Sequence, residues 1–276
     1  MDYHSRSKLA PTVLSIAGSD PSGGAGIQAD LKTITAIGVY GAAAITCITV
    51  QNSLGVSESV ALAGDLVVRQ VQAVLADYNV THIKIGMIGT IEIATALGQL
   101  LGEFKDEVIY DPVLSSTTGQ SLLNSTNLSD LSEQLISKVT VLTPNLAELE
   151  QLCQQPMTTP AEAIRGARQI LDRHEHLQAV IVKGGHLEID ESHVSDYLIL
   201  KNQEQIETSK RQRIKSHNLH GTGCTYASAF AAFHCLEKDY RKAFVLSAAY
   251  MDRIISKSSS ILLIKSGKGG PLIHTW

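Results

Sequence analysis

The chain has 276 residues, 44% of them hydrophobic, and we expect a flexible start over residues 1–11 followed by a single domain over residues 12–276. A formal net charge of -4 with scattered basic residues argues against a nucleic-acid partner, and no apolar run reaches the roughly 20 residues of a membrane helix. Four cysteines without a CxxC pair predict reduced thiols. Together with the polar N-terminal segment, they lead us to expect a cytoplasmic location. The scattered charge favours small-molecule partners.

Short apolar strands alternate with helical periodicity along the chain. TVLSIA predicts a first strand, and the segment after it places Ile27, Leu31 and Ile34 on one helical stripe. Further strands are predicted in AAITCITV, THIKIG, EVIYD, VTVLTP and AVIVKG, with helices around 65–78, 91–103, 128–138, 160–174, 223–236 and 239–257. The polar segment 194–213 predicts antiparallel strands near one edge. The pattern indicates an α/β fold, with a central, mostly parallel β-sheet flanked by helices on both faces.

Polar and glycine-rich segments follow each predicted parallel strand. They read GSDPSGGAG, QNS, MIGT, DPVLSSTTG, TPNLAE and KGGH in chain order. Ligands of such sheets bind beyond the carboxyl ends of the strands, so the sequence predicts one site at that edge.

The first of these segments resembles no standard nucleotide loop. Gly18 and Gly23 have the spacing of a Walker A loop, but Gly24 stands where its lysine belongs, and the GxGxxG pattern also fails. The glycines suit close approach of the backbone to a flat substrate, with Asp30 accepting a hydrogen bond from it. A plain tight turn with Asp30 on the surface is the alternative, and the residues alone leave both open.

The segment HGTGCT, residues 220–225, opens a predicted helix. Backbone amides at a helix N-terminus bind anions, and Thr222 adds a hydroxyl. We expect the same position to favour the thiolate of Cys224, which then serves as a base. The alternative is a small apolar residue in a buried helix. His220 is interpreted as structural.

Several motifs occur in order across nearly the whole chain: AGSDPSGGAGIQADLKT, QNS, KIGM, DPV, TPN-x-x-E, KGGH and HGTGCT. From about Val13 onward the chain resembles the hydroxymethylpyrimidine and phosphomethylpyrimidine kinases of thiamine biosynthesis, in the ribokinase-like superfamily. The resemblance implies a three-layer α/β/α fold. It also implies an ATP-dependent enzyme that phosphorylates 4-amino-5-hydroxymethyl-2-methylpyrimidine to the monophosphate and then to the diphosphate. ATP and Mg²⁺ are the implied cofactors, and a homodimer is the implied assembly.

The resemblance also assigns roles to residues that match the family's motifs. The implied pyrimidine site comprises Gly18, Asp30, Gln51, Met87 and Val113. The implied catalytic anion hole comprises Gly221, Thr222, Gly223 and Cys224, with Cys224 in the position of the superfamily's aspartate base. The residues implied near the nucleotide phosphates are Asn145, Lys183 and Thr222. Those implied to hold the metal, through water, are Glu148 and Asp111.

One departure from the family pattern keeps other functions open. Thr117 in DPVLSSTTG replaces a lysine that many relatives carry near the phosphates. A pyridoxal kinase of the same superfamily is the nearest alternative, against which Gln51 favours a pyrimidine. A pyrimidine-binding sensor without catalysis is an alternative from another class, motivated by Thr117. A Cys-His hydrolase is disfavoured because the GTGC segment already suits phosphate binding.

Overall fold

The computed structural model describes residues 9–113, 134–185, 192–265 and 269–274. Its strands are β1 (Thr12–Ser19), β2 (Tyr40–Asn52), β3 (Gly55–Ala61), β4 (Val80–Ile85), β5 (Glu107–Tyr110), β6 (Val141–Leu142), β7 (Ala179–Val182), β8 (His193–Leu200) and β9 (Ile206–Gln212). Its α-helices are α1 (Gly26–Ile37), α2 (Gly64–Asp77), α3 (Ile91–Leu101), α4 (Leu146–Cys153), α5 (Pro160–Arg173), α6 (Thr222–Glu237) and α7 (Tyr240–Ser259).

These strands form one sheet in the order β3-β2-β1-β4-β5-β6-β7-β8-β9. Pairing is parallel from β2 to β7, whereas β3 at one edge and β8 and β9 at the other are antiparallel. The predicted mostly parallel sheet and the antiparallel strands within residues 194–213 are therefore confirmed.

Helices cover both faces of the sheet because successive strand residues point to opposite sides. Leu14 and Ile16 of β1 lie in one apolar cluster, which also contains residues of α2, α3, α4 and α5. Val13 lies in the other cluster, with residues of α1, α6 and α7. The three layers expected for the α/β/α fold are present. None of the helices in the described ranges has both the length and the apolar character to cross a membrane.

The sequence analysis missed two elements. Strand β3 is an edge strand whose residues are mostly exposed, so it lacks the apolar pattern by which buried strands are found. Helix α4 is only eight residues long and begins directly after β6, where a loop was expected. The helix expected over 128–138 falls mostly outside the described residues, and its end contains a 3₁₀ turn at Ile136–Lys138.

The chain order places a crevice beside β1. The chain passes from β1 to β2 on one side and returns to β4 on the other, so the direction of winding changes next to β1. Loops leaving the carboxyl ends of strands on either side of such a point separate and leave room for a ligand. The segments after β1, β2 and β4 flank this crevice.

Candidate active site

Asp20 organises the glycine-rich loop after β1. Its carboxylate accepts hydrogen bonds from the Ser22 amide at 2.9 Å and the Ala25 amide at 2.8 Å. Burial acts to raise the pKa of Asp20, but hydrogen bonds from His220 and Ser22 outweigh it and lower the pKa. Gly26 has a φ of +57°, and a Cβ there would lie 2.2 Å from the Gly18 carbonyl oxygen. The loop therefore needs glycine at this position.

The HGTGCT segment packs directly on that loop. Gly221 is the N-cap of α6 with a φ of +85°, and a Cβ on it would lie 1.8 Å from the Gly24 carbonyl oxygen. His220 Nε2 lies 2.9 Å from Asp20 Oδ2 and 3.2 Å from Gln51 Nε2. Segments about 200 residues apart in sequence thus meet at the N-terminus of α6. In the first turn of α6 the Thr222 amide donates to the Leu219 carbonyl at 3.3 Å, whereas the Gly223 amide has no acceptor within the helix.

The sequence analysis did not foresee the contact between His220, which it interpreted as structural, and Asp20. No local pattern marks either residue, because their partners are distant in sequence. The only local signal was the position of each beside a glycine-rich turn.

Asp30 does not lie where the sequence analysis expected. Its side chain is fully buried. Its carboxylate accepts hydrogen bonds from the hydroxyl groups of Ser15 and Ser228, and Lys84 Nζ contacts both carboxylate oxygens, all at 2.6 to 2.9 Å. Neither alternative from the sequence, a direct substrate contact or a surface residue, agrees with this position. The aspartate instead pairs with Lys84, which emerges from β4 and which sequence reasoning did not single out.

The Lys84–Asp30 pair influences Cys224. Burial acts to lower the pKa of Lys84, but Asp30 outweighs it and the net pKa is raised, so the ammonium stays charged. Burial raises the pKa of the Cys224 thiol to about 11, against the opposing charge of Lys84 and a hydrogen bond from the Gly26 amide. The expectation that the helix N-terminus favours a thiolate is wrong for the free protein, because desolvation is the larger effect.

A cluster of charged side chains lies at the ends of β5, β6 and β7. Lys183 Nζ is 2.6 Å from Asp111 Oδ1 and 3.9 Å from Glu148 Oε2. Thr143 donates a further hydrogen bond to Asp111. Burial, the largest effect, raises the pKa of Glu148 to about 7, partly offset by Lys183. A lysine and two carboxyl groups predicted from separate motifs are thus brought together.

Asn145 and Glu148 form a reciprocal cap at the start of α4. The Asn145 side chain accepts a hydrogen bond from the Glu148 amide, and the Glu148 side chain accepts one from the Asn145 amide at 2.7 Å. The cap explains why Glu148 is held inward toward Lys183. The TPN-x-x-E motif is therefore a helix start as well as a source of polar side chains.

Gly223 faces the charged cluster. A Cβ at this position would lie 3.4 Å from Lys183 Nζ and 3.6 Å from Asp111 Oδ2. The N-terminus of α6 and the charged cluster thus adjoin one another.

The remaining predicted substrate residues lie around the ends of β1, β2, β4 and β5. A Cβ at Gly18 would lie 2.8 Å from Cys47 Sγ and 3.4 Å from Met87 Sδ, so Gly18 and Met87 are adjacent. Gln51 contacts His220, as described above. Val113 is partly exposed, three residues beyond the end of β5. Thr117 lies outside the described residues.

A family model described as phosphomethylpyrimidine kinase matches residues 20–269. The chain belongs to the phosphomethylpyrimidine kinase family. A hydroxymethylpyrimidine/phosphomethylpyrimidine kinase of Rhizobium meliloti is 38% identical over 268 residues, covering 96% of this chain and 97% of the relative. The phosphomethylpyrimidine kinase family resemblance and the kinase class expected from the motifs are confirmed.

Solved structures of the family and its neighbours have the same fold. A phosphomethylpyrimidine kinase from Clostridium difficile is 33% identical with a TM-score of 0.76, covering 89% of this chain and 99% of its own. A Bacillus subtilis pyridoxal kinase, solved as an ADP complex, is 29% identical with a TM-score of 0.83, covering 97% and 98%. The ribokinase-like fold expected from the sequence is confirmed. Pyridoxal kinase is a structural neighbour, while the family match favours phosphomethylpyrimidine kinase.

Proposed function

We propose that the chain transfers phosphoryl groups from ATP to 4-amino-5-hydroxymethyl-2-methylpyrimidine, first to the hydroxymethyl group and then to the resulting phosphate, within thiamine biosynthesis. The main support is one juxtaposition at the carboxyl edge of the sheet. The glycine-rich loop, Gln51 and the N-terminus of α6 adjoin the cluster of Lys183, Asp111 and Glu148. The neutral pyrimidine alcohol, which accepts the phosphoryl group, and the anionic ATP, which donates it, would thus occupy neighbouring parts of one crevice.

The charged cluster fits the phosphate side of this reaction. Mg²⁺ prefers oxygen ligands and is often bound by one or two carboxylates together with substrate phosphates and water. Asp111 and Glu148 supply such oxygens, and within the described ranges no cluster of three or more His, Cys, Asp or Glu residues forms a self-contained metal site. When bound, Mg²⁺ neutralises charge on the phosphates. Lys183 and the amide of Gly223 add positive potential on the same side.

The acceptor side combines apolar and polar contacts. Gly18 and Met87 form one wall, and Val113 follows the β5 strand toward the same edge. Gln51 offers a donor and an acceptor to the amino group and ring nitrogen of the pyrimidine. Asn145 is assigned to the phosphate side, where it holds Glu148 in place.

Cys224 is assigned as the base of the first transfer. The alcohol oxygen attacks the γ-phosphorus of ATP, the bond to the bridging oxygen breaks and ADP leaves, while the hydroxyl proton passes to the Cys224 thiolate. Lys84 stabilises the thiolate form that this step requires. A phosphate monoester has a second pKa of about 6 and is largely dianionic at neutral pH, so the second transfer needs no base.

An ADP-release assay tests this function. Purified protein with ATP and Mg²⁺ is supplied separately with the pyrimidine alcohol, its monophosphate and pyridoxal. We expect turnover with both pyrimidines and a kcat/KM for pyridoxal that is lower by at least about tenfold. Preferred turnover of pyridoxal would instead support the pyridoxal kinase, and Mg²⁺-independent or absent ADP release would contradict the proposal.

Two further expectations stay predictions. They are the homodimer implied by the family resemblance and the cytoplasmic location expected in the sequence analysis. Size-exclusion chromatography with light scattering measures the first, and fractionation of cells measures the second.

A further inference from the structure

The backbone of the turn after β7, residues 183–185, is held by a buried carboxylate. The Lys183 amide donates a hydrogen bond to the Pro144 carbonyl at 2.9 Å. The next amide, that of Gly184, donates to Asp196 Oδ1, also at 2.9 Å. Asp196 lies in β8, and its side chain is buried. The carboxylate therefore fixes the backbone directly beside the lysine of the charged cluster.

Glycine brings this turn close to β8 and also leaves it intrinsically flexible. The regular pairing of β7 with β8 ends at Val182 and Tyr197, so the turn lies beyond it. A Cβ at Gly184 would lie 1.5 Å from the Ser195 carbonyl oxygen, so only glycine allows this approach. Two glycines in succession, Gly184 and Gly185, have more backbone freedom than any other pair of residues. A specific hydrogen bond is therefore needed to hold the turn in one conformation.

Arg211 holds the other oxygen of the same carboxylate. Its Nη2 pairs with Asp196 Oδ2, and its Nη1 lies 2.7 Å from Asp252 Oδ1 of α7. Each oxygen of Asp196 thus accepts from a different donor, Gly184 on one side and Arg211 on the other. An asparagine has a single acceptor oxygen and cannot serve both donors. The arrangement therefore requires a carboxylate at position 196.

The turn determines where the Lys183 ammonium can reach. Lys183 Nζ lies 2.6 Å from Asp111 Oδ1, and a Cβ at Gly223 would lie 3.4 Å from the same nitrogen. The lysine thus stands between a carboxylate and the first turn of α6, on the side assigned to the nucleotide phosphates. A displacement of about 1 Å in a positioning group can lower a rate about a hundredfold.

We propose that Asp196, held by Arg211, is a positioning residue which fixes the turn at Gly184 and thereby sets Lys183 toward the phosphates of ATP. The inference rests on the proposed function, since it assigns how a residue of that same site is held. Asp196 acts through the backbone of Gly184 and does not touch the reacting atoms.

Two double variants separate the hydrogen bond to Gly184 from the ion pair. Both carry Arg211→Met, which removes the charged partner of position 196. One also carries Asp196→Asn, which keeps an acceptor oxygen for the Gly184 amide. The other carries Asp196→Leu, which has a similar branched shape and no acceptor. Neither variant keeps the ion pair, so they differ in the acceptor for Gly184 alone.

We expect kcat with the aminopyrimidine and ATP to be about tenfold lower in the leucine double variant than in the asparagine double variant. KM for the aminopyrimidine should differ by less than about twofold, because the acceptor side does not contact the turn. Asp252→Asn removes the other carboxylate of Arg211 without touching Gly184, and its kcat should stay within about twofold of the wild type. A purely structural role for the ion pair predicts equal kcat in the two double variants.

Hydrogen exchange of the Gly184 amide gives a readout that is independent of activity. Nuclear magnetic resonance of ¹⁵N-labelled protein should show the amide protected in the wild type and in the asparagine double variant. Protection should fall by about tenfold or more in the leucine double variant. Equal protection in the two double variants would overturn the inference.

The single variant Asp196→Asn provides the test if the leucine double variant does not fold. Its one oxygen is drawn to Arg211, because a charged donor makes the stronger hydrogen bond, and the Gly184 amide loses its acceptor. Adding Arg211→Met frees that oxygen for Gly184 and should raise kcat by about fivefold or more. A further fall in kcat on adding Arg211→Met would contradict the inference.

Failure of the inference is distinguishable from failure of the proposed function. A wild-type protein without turnover of the aminopyrimidine would contradict the function itself. Turnover by the wild type together with equal kcat in the two double variants would leave the function standing and overturn the inference.

Discussion

At the scale of single residues, the site depends on which groups can hold a proton. Cys224 has a pKa raised to about 11, so nearly all of it is a neutral thiol at neutral pH in the free protein. The charge of Lys84 opposes this shift, and the Lys84 side chain is itself fully buried. Because the pKa is high, the thiolate form of Cys224 is a strong base, but only a small fraction of the protein carries it at neutral pH.

The two phosphoryl transfers should therefore depend differently on pH. From pH 7 to about 9, we expect kcat/KM for the alcohol to rise about tenfold per unit, because the thiolate fraction of Cys224 rises in this way below its pKa. The second transfer should vary little, since its acceptor is already dianionic. Initial rates with each acceptor across this range measure both profiles.

Replacement of the thiol gives the matching control. Cys224→Ala should slow the first transfer at least about tenfold more than the second and should abolish its rise with pH. Equal losses in both transfers would instead assign Cys224 to the anion hole without a role as base.

The predicted site residues that the structure brings together are those whose neighbours are implied by the fold. Lys183, Asp111 and Glu148 follow neighbouring parallel strands, so the sheet itself brings them together. Asp30 was placed incorrectly because a charge in a glycine-rich motif suggests a ligand, and its partner Lys84 lies 54 residues away within an apolar strand. His220 could not be assigned because its contacts cross 200 residues.

At the scale of secondary-structure elements, two helices begin with the same device and differ in what it supports. Asn145 and Glu148 cap α4, and Thr159 and Glu162 cap α5, each with reciprocal hydrogen bonds. Only the α4 cap includes a residue of the charged cluster, because Glu148 lies near Lys183. Comparing the two caps therefore separates the effect of capping on stability from the effect of the Glu148 position on activity.

Asn145→Ala and Thr159→Ala should each lower the free energy of unfolding by about 1 kcal/mol through loss of the cap. Only Asn145→Ala should also lower kcat, by about tenfold, because Glu148 is then no longer held toward Lys183. Urea unfolding and initial-rate assays measure the two effects. Equal kinetic losses in both variants would show that general destabilisation, and not the position of Glu148, limits activity.

The buried Lys84–Asp30 pair joins four elements. Asp30 of α1 accepts hydrogen bonds from Ser15 of β1, Lys84 of β4 and Ser228 of α6. A buried charge that loses its partner is costly, whereas a pair replaced as a whole is often tolerated.

Lys84→Met should therefore lower the free energy of unfolding by about 3 to 5 kcal/mol, because the Asp30 carboxylate remains buried without a countercharge. Adding Asp30→Asn should restore part of the loss. Chemical denaturation of the single and double variants measures these free energies of unfolding. Loss of stability that is additive in the double variant would contradict the assignment of the two residues as one ion pair.

At the scale of the whole molecule, alternation of apolar strands and amphipathic helices was enough to predict the parallel sheet and its two helical layers. The central strands are buried on both faces and read as continuous apolar runs, which makes them visible in the sequence. Strand β3 was invisible for the opposite reason, since most of its side chains are exposed. The order of the strands in the sheet was not evident from the sequence, because periodicity shows which face of a strand is buried but not which strands pair with each other.

A buried histidine pair should make stability depend on pH far from the active site. His82 Nε2 lies 3.0 Å from His234 Nδ1, and burial, the largest effect, lowers the pKa of His82 to about 3 and also lowers that of His234. The folded state binds fewer protons than the unfolded state between pH 6.5 and 3, so stability is lost as pH falls through this window. For His82 the loss between pH 7 and 5 is about 2 kcal/mol.

His82→Gln is the control, because glutamine can keep a hydrogen bond to His234 without titrating. Its unfolding free energy should fall less steeply than that of the wild type between pH 7 and 5, by about 2 kcal/mol in total. Thermal or urea unfolding at several pH values measures the difference. Parallel curves for the two proteins would contradict the pKa assignment.

The central claim is that one site performs two successive phosphoryl transfers to an aminopyrimidine. The most direct measurement is the mass of the products over time after purified protein is mixed with ATP, Mg²⁺ and 4-amino-5-hydroxymethyl-2-methylpyrimidine. We predict a monophosphate that rises and then declines as the diphosphate appears. Accumulation of the monophosphate alone, or phosphorylation of pyridoxal in preference to the pyrimidine, would contradict the claim.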